Sequence, residues 1–337
     1  MKAFVAVIGI IAVIVLAGAG AWYLSSPPPS GPPEAITVGK MAIPAHATLY
    51  IAADRGYFAE NGLDVTVREY ATGPAAADGL LNGEVEIAAS GEYVIVQHAL
   101  DRAPIRVIAS IDRYEFFSLA ARRDRGIATA SDLVGKNIGV GRRSNADFFL
   151  GRFLDLHGIP LGSVTLVDVP PSQWVAAIGN GSVDAVVYNH DYGDAVAAAL
   201  GANAVVMPVQ SDQPLYSLLA CRDDWAATHP ATIKRFLAAL DQADRYVATH
   251  PVESRAIVQR WLDLDPEYMD TVWRENRFAL SLDQSLIAAM EDEARWMIAT
   301  KMTNATAIPD FQVYIDTSAL EQVRPDGVRI IGRGDRT

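Results

Sequence analysis

Two short polar segments of the sequence combine groups that could hold a small solute by hydrogen bonds and charge. Ser90-Gly91-Glu92 ends the passage "LLNGEVEIAASGE", and Asn189-His190-Asp191 follows the passage "AIGNGSVDAVVY". Both passages read as the end of a helix, an Asn-Gly turn and a strand, although Asn-Gly is also a common turn by itself. Hydroxyl, amide and carboxylate groups placed directly after strands suit non-covalent recognition, which needs a few convergent polar groups.

Motifs that would carry out a reaction are absent from the sequence. It contains no G-x-S-x-G, no H-E-x-x-H and no Walker A motif, which disfavours nucleophilic, zinc-peptidase and ATPase chemistry. Cys221 is the only cysteine. Four of the histidines, His98, His157, His229 and His250, are scattered at helix positions, which indicates no metal site. We therefore expect a binding protein that is not an enzyme and that needs no cofactor or metal.

The passage "IGVGRRS" raises the alternative of a dinucleotide site. Gly139, Gly141 and Ser144 follow a strand and precede a helix, as the residues of such a site do. The third glycine is missing, and two arginines occupy the turn where the backbone would approach a pyrophosphate, so this site is disfavoured. Ser144 and Asn145 instead begin a helix, whose free N–H groups favour an anion. Ordinary N-capping explains the same residues equally well.

Strand and helix patterns alternate from Ile36 onward, which predicts repeated β–α–β units and a mostly parallel sheet. The pattern restarts in "ASDLVGKNIGVG", and from Trp225 to Thr300 it is almost entirely helical. Two α/β lobes and a helical region are therefore expected. Because ligands bind beyond the carboxyl ends of strands in such sheets, the equivalent loops of the two lobes would face each other across a cleft.

Length and charge limit the classes of partner. The 337 residues can form two domains, and the net charge of −12 disfavours nucleic acid, since phosphate binding needs clustered lysine and arginine. Residues 3–24 carry no charge and are long enough to span a bilayer. Residues 25–35, "SSPPPSGPPEA", read as an extended proline-rich spacer. We expect residues 1–24 to be a retained membrane anchor, with a cleaved signal peptide as the alternative, and the rest of the chain to be extracytoplasmic.

The ordered set of passages resembles a known family. The carriers are "LYIAADRGYFAENGLDVTV", "LLNGEVEIAASGEYV", "ASDLVGKNIGVG", "IGNGSVDAVVYNHDY" and "SALEQVRPDGVRII". Together they look like the NMT1-like substrate-binding proteins of ABC importers for nitrate, sulfonate and taurine. The resemblance implies a type II periplasmic-binding-protein fold, which is a two-lobed α/β clamshell with two crossover strands and a helical C-terminal region. Lobe 1 would comprise residues 36–119 and 217–337, and lobe 2 residues 120–216. The crossovers would lie near Ser118–Arg122 and Leu215–Cys221.

The resemblance also implies a function. The protein would capture a small organic anion or zwitterion between its lobes and deliver it to an ABC permease and its ATPase subunit. It would act as a monomer and would make and break no bond. An extracytoplasmic ligand sensor is one alternative. Another is a pyrimidine-precursor enzyme on the same fold, but such enzymes carry a cysteine-rich motif that a single cysteine cannot supply.

The candidate ligand-binding residues combine the two polar segments with the helix start and two loops. The loop at His46 touches the ligand by resemblance, with a solvated histidine as the alternative. Glu92 would select a cationic or zwitterionic ligand if it faces the cleft, and otherwise only complements a helix start, as Asp191 would. The full set is His46, Ser90, Gly91, Glu92, Tyr114, Glu115, Ser144, Asn145, Asn189 and Asp191.

Overall fold

Two β-sheets form the centres of two lobes in a computed structural model that describes residues 32–331. Most strands are short and apolar, as expected for sheets that are covered by other elements. The strands are β1 (Glu34–Lys40), β2 (Leu63–Glu69), β3 (Ile87–Gly91), β4 (Ile105–Tyr114), β5 (Phe117–Arg122), β6 (Asn137–Val140), β7 (Thr165–Asp168), β8 (Ala185–Asn189), β9 (Ala204–Pro208), β10 (Leu215–Arg222), β11 (Asn276–Asp283) and β12 (Val328–Arg329).

The larger sheet has the strand order β12-β11-β4-β10-β3-β1-β2, and the smaller sheet has the order β7-β6-β8-β5-β9. β1 lies parallel to β2 and β3, and β6 lies parallel to β7 and β8. One strand of each sheet runs antiparallel to its neighbours on both sides, β10 in the larger sheet and β5 in the smaller, and in the larger sheet β11 is also antiparallel to β4. Each sheet therefore combines β–α–β units with a strand that arrives from the other lobe.

The α-helices pack on these sheets, and those of the C-terminal region return to the first lobe. The helices are α1 (Ala47–Asp54), α2 (Tyr57–Glu60), α3 (Gly73–Leu81), α4 (Glu92–Leu100), α5 (Asn145–Leu156), α6 (Trp174–Asn180), α7 (Gly193–Leu200), α8 (Asp223–Thr228), α9 (Pro230–Thr249), α10 (Pro251–Leu262), α11 (Pro266–Glu275), α12 (Gln284–Ala299) and α13 (Ser318–Val323). α9 and α10 contact α1, and α12 contacts α4. The helical C-terminal region thus covers the larger sheet.

The repeated passage forms the same unit in both lobes. α3 leads through Gly83 into β3, and α6 leads through Gly181 into β8. Both glycines have a positive φ, 74° and 79°, which explains why glycine follows asparagine there. Arg222, at the end of β10, donates to the last turn of α3, and Arg122, at the end of β5, donates to the last turn of α6. An arginine at a helix C-terminus is favourable because of the helix dipole.

The chain changes sheets through two short connections that lie slightly before the predicted crossovers. Residues 115–116 join β4 to β5, and residues 209–214 join β9 to β10. The predicted crossover positions, Ser118–Arg122 and Leu215–Cys221, lie inside β5 and β10. The predicted bounds of lobe 2, residues 120 and 216, therefore fall within paired strands. The sequence could not show this, because the ends of a strand depend on which partner strand it meets.

Gln210 holds the two connections together. Its buried Oε1 accepts hydrogen bonds from the backbone N–H groups of Phe116 at 2.7 Å and Phe117 at 2.9 Å. Its Nε2 donates to the carbonyl oxygens of Tyr114 and Gln213, both at 3.3 Å. One side chain thus satisfies four backbone groups of the two connections between the lobes. We call these two connections the hinge, and the hydrogen bonds of Gln210 give the hinge a defined geometry.

The expectation of an almost entirely helical stretch from Trp225 to Thr300 is wrong at one point. β11 interrupts the helices and pairs antiparallel with β4. Leu280 and Leu282 are buried while their neighbours are partly exposed, which is the alternation typical of a strand. This alternation is visible in "RFALSLD", but the long helices on both sides obscure it.

The predicted membrane segment, residues 3–24, and the first part of the predicted spacer lie outside the described residues. The last two spacer residues, Glu34 and Ala35, already pair with β2 as the start of β1. Within residues 32–331, none of the helices has both the length and the apolar composition that crossing a bilayer requires.

Candidate functional site

One edge of the larger sheet carries a group of buried polar side chains. The carboxyl ends of β3 and β4 and the amino end of the antiparallel β10 meet there, since Ser217 pairs with both Gly91 and Asp112. Both connections between the lobes leave from this edge. It therefore faces the smaller sheet, where the ends of β6, β7 and β8 lie together. The loops after β3 and β8 therefore lie at the ends of the two sheets that are nearest to the connections between the lobes.

His46 lies in the first loop, as predicted, but it is not a solvated histidine. Its side chain is fully buried, and its Nδ1 lies 3.0 Å from the carbonyl oxygen of Met41. Burial lowers the pKa of His46 to about 4, so its imidazole is neutral near pH 7. Its Nε2 has no hydrogen-bond partner among the described residues. The ring can therefore offer one nitrogen to a ligand.

Ser90 is held in a narrow space at the end of β3. Its hydroxyl is buried and has no partner among the described residues. A Cβ at Gly73, the first residue of α3, would come 3.0 Å from this oxygen, so a side chain there would crowd it. Thr72 caps α3 by accepting from the N–H of Ala75 at 3.2 Å. The small residue at position 73 thus keeps the Ser90 hydroxyl free of contacts.

Glu92 begins α4 and is fully buried, as is Glu293 of α12. Glu92 Oε2 accepts from the backbone N–H of Tyr216 at 2.8 Å, whereas its Oε1 has no partner in the described part of the chain. Burial raises the pKa of Glu92 to about 8. Burial, and then the charge of Glu92, raise the pKa of Glu293. Near pH 7 the pair therefore holds at least one proton.

A third buried carboxyl, Asp112 of β4, lies at the same sheet edge. It is fully buried, both of its oxygens lack a hydrogen-bond partner among the described residues, and burial raises its pKa. Sequence reasoning missed it, although an aspartate within the apolar strand "IRVIASIDRY" is an unusual pattern. It also missed Glu293, for which the sequence offers no comparable signal.

Tyr114 and Glu115 occupy the end of β4 and the start of the first connection. The Tyr114 ring packs edge-on against Phe116, with 5.2 Å between ring centroids. Burial raises the pKa of Tyr114, and the nearby charges of Glu92 and Asp112 add to this effect. Tyr114 is thus close to both carboxyls, and its contact with a ligand stays a prediction. Glu115 is partly exposed, and a role for it in ligand binding stays a prediction.

The start of α5 differs from the expected anion site. Ser144 does not cap the helix with its hydroxyl, which instead donates to the carbonyl oxygen of Gly141 at 2.7 Å. Asn145 Oδ1 accepts from the adjacent N–H of Ala146 at 3.0 Å. The buried carboxylate of Asp147 lies in the first turn and already accepts from backbone and side-chain donors, Arg143 N at 3.0 Å and Arg142 at 2.7 Å. The positive end of this helix is therefore already complemented by a negative charge.

The second polar segment joins the lobes. Asp191 accepts from the hydroxyl of Tyr268 at 2.5 Å and from Asn189 at 2.9 Å. His190 forms ion pairs with Asp191 and with Glu275 of α11. Burial opposes the charge of His190, but the two carboxylates outweigh it and raise its pKa to about 9. The hydrogen bond with His190 in turn lowers the pKa of Asp191. Asp191 Oδ1 thus joins the two lobes, while its Oδ2 is bonded within its own lobe, and a role for Asp191 in ligand binding stays a prediction.

Replacing Tyr268 with phenylalanine should weaken this contact between the lobes. A hydrogen bond to a charged group contributes about 1.5–3 kcal/mol, and the change leaves the ring in place. We expect a lower free energy of unfolding by up to about that amount, measured by urea denaturation. Tyr57→Phe, at a partly exposed tyrosine of α2, is the control. Equal stability of Tyr268→Phe and the native protein would show that Asp191 is held by His190 alone.

The two lobes are also in contact close to the buried carboxyls of Glu92 and Glu293. Phe148 of α5 packs on Tyr93 of α4, with 6.4 Å between ring centroids, and on Trp296 of α12 at 6.3 Å. Arg143 donates to the carbonyl oxygen of Met302 at 3.1 Å. The small lobe therefore packs against α4 and α12 of the large lobe. This contact helps to bury the polar side chains at the end of the larger sheet. Carboxyls without a cationic partner, a neutral imidazole and a free hydroxyl suit a ligand that donates hydrogen bonds.

Comparison with known proteins shows the family to which the chain is similar. A family model described as "NMT1/THI5 like" matches residues 43–254. The chain is 25% identical over 260 residues to a putative aliphatic sulfonates-binding protein of Bacillus subtilis, covering 75% of this chain and 78% of that protein. It is 28% identical over 207 residues to the taurine-binding periplasmic protein of Escherichia coli, covering 59% and 63%.

A solved structure shows the same fold. The periplasmic aliphatic sulphonate binding protein SsuA of Escherichia coli matches with a TM-score of 0.70 at 17% identity, covering 84% of this chain and 97% of that one. At this level of identity the similarity is one of fold. It confirms the two-lobed α/β architecture that the sequence predicted.

Proposed function

The chain belongs to the NMT1/THI5-like family, and we propose that it is the extracytoplasmic solute-binding component of an ABC importer. The observation that carries the proposal is the set of buried polar atoms from both lobes, Ser90 Oγ, Glu92 Oε1 and Asn189 Oδ1. None of them has a hydrogen-bond partner among the described residues. Because an unsatisfied buried group costs about 1–3 kcal/mol, a solute that bonds to these atoms recovers that free energy. The sulfonate- and taurine-binding relatives support the same function.

Of the two ligand classes expected from the sequence, an organic anion and a zwitterion, the cleft favours the zwitterion. An anion would need the free N–H groups of a helix start or an unpaired cation. The starts of α4 and α5 already hold the carboxyls of Glu92 and Asp147. A ligand that also carries a positive group has suitable partners at the cleft.

The proposed mechanism is reversible capture by lobe closure, without a chemical step. The single cysteine, Cys221, lies buried in β10, and burial raises the pKa of its thiol to about 12. A thiol in this state is a poor nucleophile, which argues against the cysteine chemistry of the enzyme alternative. The hinge at Gln210 and the aromatic contacts between α4, α5 and α12 provide the closed state.

Ligand binding is expected to make the protein more compact. Taurine, ethanesulfonate and nitrate would each be added to the native protein, and the radius of gyration would be measured by small-angle X-ray scattering. A binding compound should decrease the radius and raise the melting temperature. Ser90→Ala should weaken binding by about tenfold, since it removes one buried hydrogen bond, whereas Ser182→Ala on the exposed surface should not. A constant radius at saturating ligand would contradict closure of the lobes.

The N-terminal residues are proposed to hold the protein at the membrane. The uncharged residues 3–24 and the proline-rich spacer after them support a tethered monomer that meets an ABC permease and its ATPase subunit. We expect the full chain to fractionate with membranes and a variant without residues 1–34 to be soluble and folded. N-terminal sequencing of the mature protein tests this. A mature chain that starts after Ala19 or Ala21 would establish a cleaved signal peptide instead.

A further inference from the structure

We propose that Glu92 and Glu293 form the subsite for a protonated amine of the ligand, and that the bound amine replaces a proton shared by the two carboxyls. The inference rests on the proposed solute-binding function and assigns one part of the ligand to two residues. It makes Glu293, which lies in the C-terminal helical region, a specificity-determining residue.

The position of the pair carries the proposal. Glu92 is the first residue of α4 and follows directly on the Ser90–Gly91 loop at the sheet edge. The next residue, Tyr93, contacts Phe148 of the smaller lobe, so this end of α4 lies where the lobes meet. Glu293 lies one helical turn before Trp296, which contacts the same phenylalanine. Both carboxyls therefore lie buried close to the surface along which the two lobes meet.

The oxygens of the pair are available to a ligand. Both side chains are fully buried, and apart from the proton that the two carboxyls share, three of the four oxygens, Glu92 Oε1 and both of Glu293, have no hydrogen-bond donor among the described residues. Only Glu92 Oε2 is satisfied, by the N–H of Tyr216 at 2.8 Å. The adjacent Ser90 hydroxyl is likewise buried and free. A buried polar oxygen without a hydrogen bond lowers the stability of the protein. An ammonium group carries three N–H donors, which can form hydrogen bonds with these oxygens.

No cation in the described part of the chain neutralises the pair. Within the described residues, neither glutamate forms an ion pair with lysine, arginine or histidine. The charged groups that act on Glu293 are Glu92 and Asp292, both acidic. Tyr93 and Tyr114 face the pair from α4 and β4, and Asp147 lies nearby on α5. Arg142 and Arg143 are engaged by Asp147 and by Met302. The surroundings of the two carboxyls therefore favour a ligand that carries a positive charge.

The proton balance follows from this environment. In a buried space two adjacent carboxyls cannot both be ionised, so the free pair retains protons near pH 7. An ammonium group brings one positive charge, which allows one carboxyl to ionise. The proton that is displaced leaves to solvent, so the net charge of the subsite is unchanged. Binding of an amine is thus an exchange of one cation for one proton.

Matched pairs of compounds test the amine requirement. Taurine and ethanesulfonate differ only in the amine, as do β-alanine and propionate. Dissociation constants for the native protein would be measured by calorimetric titration. We expect the amine-bearing member of at least one pair to bind about ten- to hundredfold more tightly, which corresponds to one charge-assisted contact. A pH-stat titration in unbuffered salt should record about one proton released per bound amine.

Substitution of Glu293 tests the role of the pair. Glu293→Gln should remove the preference for the amine and the proton release, while the affinity for the amine-free compound stays the same. Glu291→Gln removes a carboxylate from the exposed face of the same helix and should change neither quantity. Glu92→Gln serves as the second variant if Glu293→Gln does not fold, which a thermal melt shows directly.

The outcomes separate this inference from the proposed function. Equal binding of both members of each pair, or proton release that persists in Glu293→Gln, would overturn the amine subsite and leave a solute-binding protein. Binding of none of the four compounds would contradict the proposed function for this ligand class, and the amine subsite with it.

Discussion

Replacing Gly151 with alanine is expected to destabilise the protein by about 1–3 kcal/mol, the usual effect of overpacking a core. In an exposed helix the same change would stabilise by about 0.5–1 kcal/mol, because alanine loses less conformational freedom than glycine on folding. At this position the added Cβ would come 2.0 Å from Cη2 of Trp296 and 2.3 Å from its Cζ3. Two carbon atoms cannot approach so closely, so the steric repulsion outweighs the helix propensity.

The indole ring of Trp296 borders an open cavity together with Gly151, but its packing on Phe148 holds it in place. It lies on α12 of the large lobe and packs edge-on against Phe148, which lies on the same small-lobe helix as Gly151. Displacing the ring would therefore separate α5 from α12 at the contact between the lobes. We expect Gly151→Ala to lower the affinity for a ligand as well as the free energy of unfolding, since closure depends on this contact.

A double-mutant cycle measures the effect. Urea denaturation would compare Gly151→Ala, Trp296→Ala and the double variant, with Gly162→Ala as the control because no atom lies within 4 Å of a Cβ there. Alanine at position 151 should destabilise the native protein and stabilise the Trp296→Ala variant. Equal losses in both backgrounds would contradict a direct clash between the two residues.

Glu92→Gln is expected to change how stability depends on pH. Burial raises the pKa of Glu92 from 4.5 to about 8, so between these values the folded state keeps a proton that the unfolded chain has released. The stability that this proton confers is fully present below about pH 4.5 and is lost as the pH rises to about 8. The loss amounts to at most ~1.4 kcal/mol per pH unit. Glutamine lacks this proton, and its amide oxygen can still accept from the N–H of Tyr216.

The difference between the two proteins isolates the Glu92–Glu293 pair, because removing the Glu92 charge also removes its effect on the pKa of Glu293. His190, whose pKa is raised to about 9, also loses stabilising charge as the pH rises above its ordinary value, but it does so in both proteins. Free energies of unfolding from urea denaturation should therefore show the native protein losing stability relative to Glu92→Gln up to about pH 8, and a constant difference above it. The curve of the exposed control, Glu291→Gln, should run parallel to that of the native protein. A difference that does not change with pH would show that Glu92 is ionised in the folded state.

The architecture of the protein could be read from local patterns in its sequence. Strand and helix periodicity predicted two α/β lobes, and the repeated passages predicted equivalent loops at the cleft. Both passages do form a helix, a turn at Gly83 or Gly181 and a strand. These signals are local, because a left-handed turn and an amphipathic helix depend on residues close together in the chain.

The roles of individual site residues followed the sequence less closely. Ser90, Glu92 and His46 are buried at strand or helix ends that the sequence reveals, and their contact with a ligand stays a prediction. The hydroxyl of Ser144 instead donates to the preceding turn, and Asp191 binds Tyr268 of the other lobe. A polar residue at a helix start has several partners within reach, and its sequence neighbours do not decide among them.

The sequence by itself therefore determined the fold class, the equivalence of the two lobes and the edge of the sheet at which they meet. Only the tertiary structure brought Glu293 of the C-terminal helical region against Glu92, and burial together with this contact altered the proton affinity of the pair. The physical reason is that desolvation and charge pairing depend on which distant segments pack together, whereas periodicity and turn chemistry depend on near neighbours.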